Sequence, residues 1–292
     1  MKNPTAALKR LNEDRPEWRP WLVVLDELLS EATEPRWDDC VPVFSERRAH
    51  VPRLAKASIA IPRDLLRRWI MRLLRAAAAG GTAPLATLRP LVETAPLVEL
   101  FRAALCQDDR SLDEIAARQG ADAAALRGVA ALLPMPLLHA CSRRLDGAAS
   151  EDWRDGYCPL CGAWPAFAEV RGIERARYLR CARCGAEWAI HWLYCPFCGA
   201  AEHQQLVSLR PENGSGSRSV EACNGCGGYV KSFTVLQAPE ALGVFFDDLA
   251  SIDLDIAAIE QGYHRSDGSG YPLNVQIGEE RSFRSRFFSR ER

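Results

Sequence analysis

The sequence lacks the features of an exported, membrane-bound or strongly charged protein. Its start, Met1-Lys2-Asn3-Pro4, is not followed by an apolar stretch of signal-peptide length, and no run of about 18 apolar residues suggests a membrane span. The formal net charge of the 292-residue chain is −1, so its charge does not point to nucleic acid or to a lipid surface. These absences favour a protein of the reducing cytoplasm that does not insert into a membrane.

Motifs of common catalytic sites are also missing. The chain has no glycine loop of the phosphate-binding type, no ordered Ser/His/Asp motif and no His-rich open metal site, and its histidines number five. We therefore expect a protein that is not an enzyme, with no catalytic residues and no organic cofactor.

What the chain does have is cysteine in pairs. Eight of its eleven cysteines form four Cys-x-x-Cys pairs, namely Cys158/Cys161, Cys181/Cys184, Cys195/Cys198 and Cys223/Cys226. Intervals of 19, 10 and 24 residues separate successive pairs. This spacing is typical of tetrahedral four-sulfur sites, because one tight turn aims two thiolates at an ion and a hairpin returns two more. The sequence predicts two metal ions per chain, iron or zinc, each bound by four cysteines.

Residues beside the cysteines favour turns of the rubredoxin and zinc-ribbon type. The first and third pairs read Cys158-Pro159-Leu160-Cys161-Gly162 and Cys195-Pro196-Phe197-Cys198-Gly199, with proline where a turn begins and glycine where it often needs a positive φ. If the first pair joins the second and the third joins the fourth, each unit opens with Cys-Pro-x-Cys-Gly and closes with Cys-x-x-Cys-Gly. We predict this sequential pairing, with an interleaved pairing as the open alternative.

The remaining cysteines and the nearby histidines have simpler interpretations. Cys40, Cys106 and Cys141 stand alone in apolar or helical surroundings and are expected to be ordinary buried side chains. His191 and His203 lie near the pairs, but eight thiolates already complete two sites, so neither histidine is expected to be a ligand.

The composition predicts an α+β fold with a helical first half. Ala, Leu and Arg dominate up to a small-residue hinge at 146–150, after which Cys, Gly and aromatic residues become frequent. The predicted domains are an α-helical domain at 1–150, rubredoxin-like metal modules at 151–192 and 193–235, and a C-terminal helix and tail at 236–292.

Periodicity and breakers predict the helices of the first half. They are Trp18 to Ala32, a helix beginning at Pro62, pieces between Leu85 and Cys106 broken at Pro90 and Pro96, a short helix opened by a capping box at Ser111–Glu114 and ended by Gly120, and Ala123 to Leu145 broken at Pro134 and Pro136. The second helix carries an arginine stripe, Arg67, Arg68, Arg72 and Arg75. The stripe is expected to be a solvated face, or else a docking face for an acidic partner.

Strand patterns occupy the cysteine-rich region. Ala166–Val170 and Ala176–Arg180 flank a turn near Gly172, as a ribbon hairpin requires, and 213–217 reads as a hairpin tip. A small ribbon has little core of its own, so bound metal is expected to supply much of its folding free energy.

A C-terminal helix is predicted from a separate pattern. Apolar Leu249, Ile252, Ile256 and Ile259 recur at helical spacing and are expected to face the protein. Acidic Asp247, Asp248, Asp255 and Glu260 are then expected to point outward or towards the seam between domains. This acidic face has two interpretations, a solvated surface or a contact for a partner protein.

The cysteine flanks resemble those of a known family. The segments Tyr157-Cys158-Pro159-Leu160-Cys161-Gly162, Tyr178-Leu179-Arg180-Cys181-Ala182-Arg183-Cys184, Cys195-Pro196-Phe197-Cys198 and Glu221-Ala222-Cys223-Asn224-Gly225-Cys226 are similar to the FdhE family of formate dehydrogenase accessory proteins. The stretch from Asp247 to Tyr263 resembles that family's C-terminal helix. The resemblance is specific over about residues 153 to 264, and it is looser over the helical half.

This resemblance implies an assembly factor. Members of the family are cytoplasmic and act on the catalytic subunit of exported molybdenum- or tungsten-dependent formate dehydrogenases before twin-arginine export. They carry two rubredoxin-like metal sites that bind iron. The implied partner of this chain is therefore a formate dehydrogenase catalytic subunit.

Two other functions use the same cysteines. One is a zinc-ribbon protein that binds nucleic acid, for which Arg171, Arg175, Arg177, Arg180 and Arg183 are the candidate contacts. Charge disfavours it, because residues 158–232 have eight Lys/Arg and six Asp/Glu, and two metal ions with eight thiolates bring the loaded region to about −2. The other is rubredoxin-like electron transfer, which needs iron in place of zinc.

Overall fold

The computed structural model of the chain describes residues 4–44, 48–145, 153–210 and 217–280. It confirms the predicted mixture of helices and sheet. The chain forms two separately packed units, the first from described residues within 1–16, 45–55 and 141–273, and the second from those within 17–44, 56–140 and 274–292. The predicted hinge at 146–150 lies outside the described residues, and the domain boundaries given above stay predictions.

Helices predominate up to Arg144, and strands predominate from Phe167 to Val235. The helices are α1 Pro4–Asp14, α2 Arg19–Ala32, α3 Arg63–Ala79, α4 Ala83–Ala86, α5 Leu91–Thr94, α6 Leu97–Cys106, α7 Asp109–Gln119, α8 Ala123–Ala130, α9 Met135–Arg144, α10 Gly243–Leu249 and α11 Ile252–Glu260, with 3-10 turns at Pro16–Trp18 and Pro35–Cys40. The strands are β1 Ser58–Pro62, β2 Phe167–Arg171, β3 Ala176–Arg180, β4 Glu187–Ala189, β5 Leu206–Leu209, β6 Arg218–Cys223, β7 Tyr229–Val235 and β8 Gln276–Glu280.

Helix α3 lies at the centre of the second unit. Its predicted apolar face is buried, with Leu65, Trp69 and Leu73 all at 0% exposure. Two arginines of its opposite face bind Glu31 of α2, since Arg68 Nη2 lies 3.1 Å and Arg72 Nη1 3.1 Å from that carboxylate. Glu31 is 1% exposed, so the arginine stripe in part neutralises an internal carboxylate.

One predicted helix cap is wrong. Asp108, not Ser111, caps α7, because the Asp108 carboxylate accepts hydrogen bonds from the Ser111 backbone N–H at 3.1 Å and from the Ser111 hydroxyl at 2.6 Å. Ser111 is therefore the third helical residue. The predicted stop is confirmed, since Gly120 ends the helix with φ 64°.

The stretch Ala123–Arg144 has the length and hydropathy of a membrane span, in contrast to the expectation from apolar runs. Within the protein, 78% of its most apolar window is buried, as expected for core helices. Pro134 separates α8 from α9, as predicted, but Pro136 is the second residue of α9 and does not break it.

A parallel strand pair in the second unit was not predicted. Strand β8 pairs with β1 in register from Ser58 opposite Gln276 to Pro62 opposite Glu280. The partners are more than 200 residues apart in sequence, so local patterns do not reveal them.

One six-stranded sheet in the first unit contains both predicted metal modules. Its strand order is β4-β3-β2-β7-β6-β5. Strands β2, β3 and β4 form an antiparallel ribbon, and so do β5, β6 and β7. Parallel pairing of β2 with β7, from Phe167 opposite Lys231 to Arg171 opposite Val235, joins the two ribbons edge to edge.

The C-terminal helix differs from the prediction in two respects. It is divided at Ala250–Ser251 into α10 and α11, and its buried face is formed by Phe246, Leu254 and Ala258. Ile256 and Ile259, predicted to face the protein, are 52% and 60% exposed. The helix is rotated because the carboxylates of Asp248 and Asp255 point inward to the Lys231 side chain of β7, at 2.6 and 2.9 Å.

Candidate metal centres

The eight paired cysteines form two groups of four, in the sequential arrangement. Centre 1 comprises Cys158, Cys161, Cys181 and Cys184, and centre 2 comprises Cys195, Cys198, Cys223 and Cys226. Within each centre all Sγ atoms lie within 4.8 Å of one another. The shorter Sγ–Sγ distances are 3.5 to 3.8 Å in centre 1 and 3.7 to 3.8 Å in centre 2. Metal–sulfur bonds of about 2.3 Å in a tetrahedron require sulfurs about 3.8 Å apart, so both groups fit one ion each.

Each cysteine pair adopts the same turn. In the first pair, the Gly162 N–H donates to the Cys158 carbonyl at 2.9 Å, and the Cys158 N–H donates to the Ala163 carbonyl at 2.8 Å. The equivalent two hydrogen bonds recur in the other three pairs at 2.8 to 3.0 Å. We call this Cys-x-x-Cys turn, with its two hydrogen bonds, a knuckle. Four knuckles thus position the four pairs of sulfurs.

The glycines that follow the knuckles are required by backbone geometry. Gly162, Gly185, Gly199 and Gly227 have φ of 70, 72, 77 and 71°, which is the left-handed region that the flanking sequence predicts. The glycine that follows the second cysteine of each pair therefore indicates a left-handed backbone conformation, which could be predicted from the sequence.

Burial dominates the electrostatics of centre 1. All four of its cysteines are 0% exposed. Burial raises the pKa of Cys158 and Cys184 well above the ordinary thiol value, whereas hydrogen bonds from the neighbouring thiols lower the pKa of Cys161 well below it. A divalent cation would offset the cost of burying several thiolates together, and its binding would release their protons.

Centre 2 is nearer to solvent. Cys195 and Cys223 are 3% and 1% exposed, but Cys226 is half-buried and Cys198 is exposed. The Gly228 N–H donates to the Cys226 sulfur at 3.4 Å. Burial raises the pKa of Cys226, while burial of Cys223 is outweighed by backbone N–H donors from Cys226 and Gly225, which lower its pKa.

The two centres are connected by close packing between their first knuckles. A Cβ at Gly156 would overlap the Pro196 carbonyl of the other knuckle. The ring of Trp164 meets Phe197, the residue between Cys195 and Cys198, edge-on at 5.3 Å, and meets Tyr157 beside Cys158 at 6.3 Å. Three aromatic rings thus extend from one centre to the other.

A buried charge cluster lies between strand β7 and helices α10 and α11. Lys231 is 0% exposed and contacts Asp248 and Asp255, and Arg265 contacts the same two carboxylates at 2.6 and 2.8 Å. The Tyr229 hydroxyl donates to Asp255 at 2.8 Å, and burial raises the pKa of Tyr229 to about 12. Sequence reasoning missed this cluster, although a lysine within the apolar run of β7 was a signal for it.

Most of the proposed nucleic-acid arginines are engaged inside the protein. Arg180 is 2% exposed and lies 3.2 Å from Glu169, Arg171 binds Glu187 at 2.7 Å, and Arg177 binds Glu221 at 2.6 Å. Burial raises the pKa of Glu169. Three of the five guanidinium groups therefore do not form a free positive face, which counts against the nucleic-acid alternative.

The other candidate residues lie as predicted. His191 and His203 are exposed and belong to neither centre. Cys40, Cys106 and Cys141 are buried outside the two centres, at 3, 9 and 0% exposure. Strands β5 and β6 pair antiparallel on either side of the predicted hairpin tip, of which residues 213–216 lie outside the described residues.

Comparison with known proteins gives a consistent result. Residues 179–271 match the family model described as "FdhE, C-terminal domain". A protein named "Protein FdhE homolog" from Pseudomonas aeruginosa is 34% identical over 126 residues, which is 41% of this chain and 40% of that protein. "Protein FdhE" from Escherichia coli O127:H6 is 34% identical over 112 residues, 38% of this chain and 35% of that protein. The matched sequence thus spans about two fifths of these curated relatives.

Structural likeness covers more of the chain. The crystal structure of the FdhE protein from Pseudomonas aeruginosa matches 92% of this chain and 94% of its own, with a TM-score of 0.57 and 26% identity. The resemblance predicted from the cysteine flanks is confirmed, in sequence for the C-terminal region and in fold for nearly the whole chain.

Proposed function

We propose that this chain, a relative of the FdhE proteins, is an accessory factor that a formate dehydrogenase requires for its maturation. It is not an enzyme; it is cytoplasmic and binds the catalytic subunit of the dehydrogenase before that subunit is exported. The proposal rests on the match of residues 179–271 to the FdhE C-terminal domain, the region that contains three of the four cysteine pairs.

Two metal ions are part of the proposal. Cys158, Cys161, Cys181 and Cys184 would hold one, and Cys195, Cys198, Cys223 and Cys226 the other. A site closed by four sulfurs has no vacant position for a substrate, so hydrolytic metal chemistry is not supported. The metals stabilise the ribbons, and iron or zinc fits the sulfur geometry equally well.

Electron transfer within the assembly role is a second candidate. Two features of centre 2 favour electron transfer. The Gly228 N–H group donates to the Cys226 sulfur, and such hydrogen bonds tune the reduction potential of a metal site. Cys198 is exposed, which brings the site within reach of a redox partner. Iron in anaerobically purified protein, seen as visible absorption that bleaches on reduction, would support this candidate. A zinc-only protein that restores full dehydrogenase activity while iron is excluded would remove it.

The accessory role is tested by gene deletion. A strain lacking this chain is expected to make formate dehydrogenase polypeptide with little activity, and wild-type chain is expected to restore that activity. Cys158→Ser should fail to restore it, because centre 1 would lose its ion. The purified chain itself should show no turnover of formate.

Cys106→Ser is the matched control, since Cys106 is buried but lies outside both centres. It is expected to restore activity as wild type does. Normal dehydrogenase activity in the deletion strain would contradict the accessory role.

A further inference from the structure

The two centres differ in access to solvent although their knuckles are alike. Cys161 and Cys198 occupy the same position in a Cys-Pro-x-Cys-Gly turn, yet Cys161 is 0% exposed and Cys198 is exposed. Because the turn geometry is shared, the contrast comes from what surrounds each turn.

Centre 1 is covered by chain segments that bind its knuckles. The Arg53 and Leu54 N–H groups donate to the Pro159 and Leu160 carbonyls at 2.8 and 3.1 Å, and the Tyr271 N–H donates to Gly162 at 2.9 Å. A Cβ at Gly162 would lie 2.7 Å from the Tyr271 carbonyl oxygen, and one at Gly185 would lie 2.7 Å from that of Ala241. The backbone at Tyr271 and Ala241 therefore packs closely against the two knuckles of centre 1.

Centre 2 is open at its first knuckle, whereas its second knuckle binds the His264 segment, since the His264 N–H donates to the Gly227 carbonyl at 2.9 Å. A Cβ at Gly199 would be 3.8 Å from the nearest described atom, the Tyr194 hydroxyl, so space remains beside Cys198. Cys195 and Cys223 form part of the wall of an open cavity of about 250 Å³, beside the exposed side chains of Trp192 and Leu193. A small molecule can therefore reach the exposed Cys198 side chain without displacing the backbone.

We propose that centre 2 is an exchangeable metal site at which Cys198 is the first ligand to leave, whereas centre 1 releases its ion only when the segments that cover it unfold. The inference rests on the metal binding proposed above. An incoming thiolate or chelator nitrogen bonds to the ion as the bond to Cys198 Sγ breaks. The freed thiolate takes a proton from water, and no atom changes oxidation state. At centre 1 the same exchange of ligands requires local unfolding of the covering segments.

The test uses full-length protein loaded with two zinc ions and mixed with excess pyridylazoresorcinol, a coloured zinc chelator. Zinc release is expected in two phases of one ion each, with rates that differ by at least about tenfold, because local unfolding adds to the slower barrier. Brief treatment with iodoacetamide, followed by mass spectrometry, should modify Cys198 first among the eight cysteines of the two centres.

Matched substitutions assign the phases. Cys198→Ser should leave one zinc ion that is released only slowly, whereas Cys161→Ser should leave one that is released rapidly. If Cys161→Ser does not fold, the order of alkylation in wild-type protein still decides the question.

Release of both ions at one rate, or alkylation of Cys161 before Cys198, would overturn the proposal. Folded protein that takes up no zinc on reconstitution would instead refute metal binding itself, and exchange with it. The two failures are therefore distinguishable.

Discussion

At the residue scale, the most informative side chain outside the centres is Lys231. Its ammonium group is completely buried, and it is stable there because Asp248 and Asp255 lie within 2.9 Å. Asp255 belongs to α11, and its contact with Lys231 turns that helix away from the orientation that its isoleucines suggest. A buried charge and its partners thus decide which face of a helix packs against the sheet.

Asp255 should make stability depend on acid pH. Burial alone would raise its pKa, but the charge of Arg265 and the hydrogen bond from Lys231 outweigh burial and hold the pKa below the ordinary value. Unfolded Asp255 then takes up a proton at a higher pH than folded Asp255, so its contribution is present above about pH 4 and is lost as pH falls through the folded pKa.

Asp255→Asn is therefore expected to lower the free energy of unfolding at pH 7 by roughly 2 kcal/mol and to flatten its decline below about pH 4. Urea denaturation at a series of pH values measures both effects. Asp253→Asn alters an exposed carboxylate of the same helix, 57% exposed, and should keep the wild-type slope. An unchanged slope in Asp255→Asn would show that the pKa of Asp255 is not lowered.

At the element scale, the knuckles depend on glycines that serve two purposes. Gly185 has φ 72° and also lies against Ala241, whereas Gly172, in the β2–β3 turn, has φ 64° and a Cβ there meets no heavy atom of the described residues within 4 Å. Substitutions at Gly172 and Gly185 therefore distinguish the cost of backbone strain alone from the cost of strain together with steric overlap.

Gly172→Ala should cost about 1 to 2 kcal/mol of unfolding free energy from the left-handed backbone alone and should retain two metal ions. Gly185→Ala should cost clearly more, because the overlap with Ala241 adds to the strain, and it should lose the ion of centre 1. Urea denaturation together with metal analysis of the purified variants checks this. Equal costs in the two variants would show that contact with Ala241 is unimportant.

Elements set by nearby residues could be predicted from the sequence, and elements set by distant ones could not. The knuckles follow from Cys-Pro-x-Cys-Gly, and the breaks at Pro90 and Pro96 follow from proline itself. The β1–β8 pair and the joining of two ribbons through β2 and β7 depend on partners far away in sequence. The exposure of Cys198 was also not predictable, since the segments that cover Cys161 come from around residues 53 and 271.

At the scale of the whole molecule, the two units draw stability from different sources. The second unit has an apolar core around α3, with Leu66, Trp69 and Leu74 at 0% exposure. The sheet of the first unit is built around eight paired cysteines, six of them buried, and bound metal would offset the cost of bringing their thiolates together.

Removal of metal should therefore affect the units unequally. After treatment with a strong chelator and a reductant, backbone amides of β2, β3, β6 and β7 are expected to lose protection in hydrogen exchange, while those of α3 remain protected. Added zinc should restore the protection. Full protection of the strands in metal-free protein would show that the sheet does not need its ions.

The parallel contact between β2 and β7 has a consequence for synthesis on the ribosome. Phe167 pairs with Lys231, so the central strand contact of the sheet closes a loop that contains the second, third and fourth cysteine pairs. The first ribbon emerges earlier and has an unpaired edge until residue 235 has left the exit tunnel. During that interval the nascent chain exposes a strand edge beside thiols that are already able to take up an ion. Early metal capture at centre 1 would hold that edge in its hairpin until its neighbour arrives.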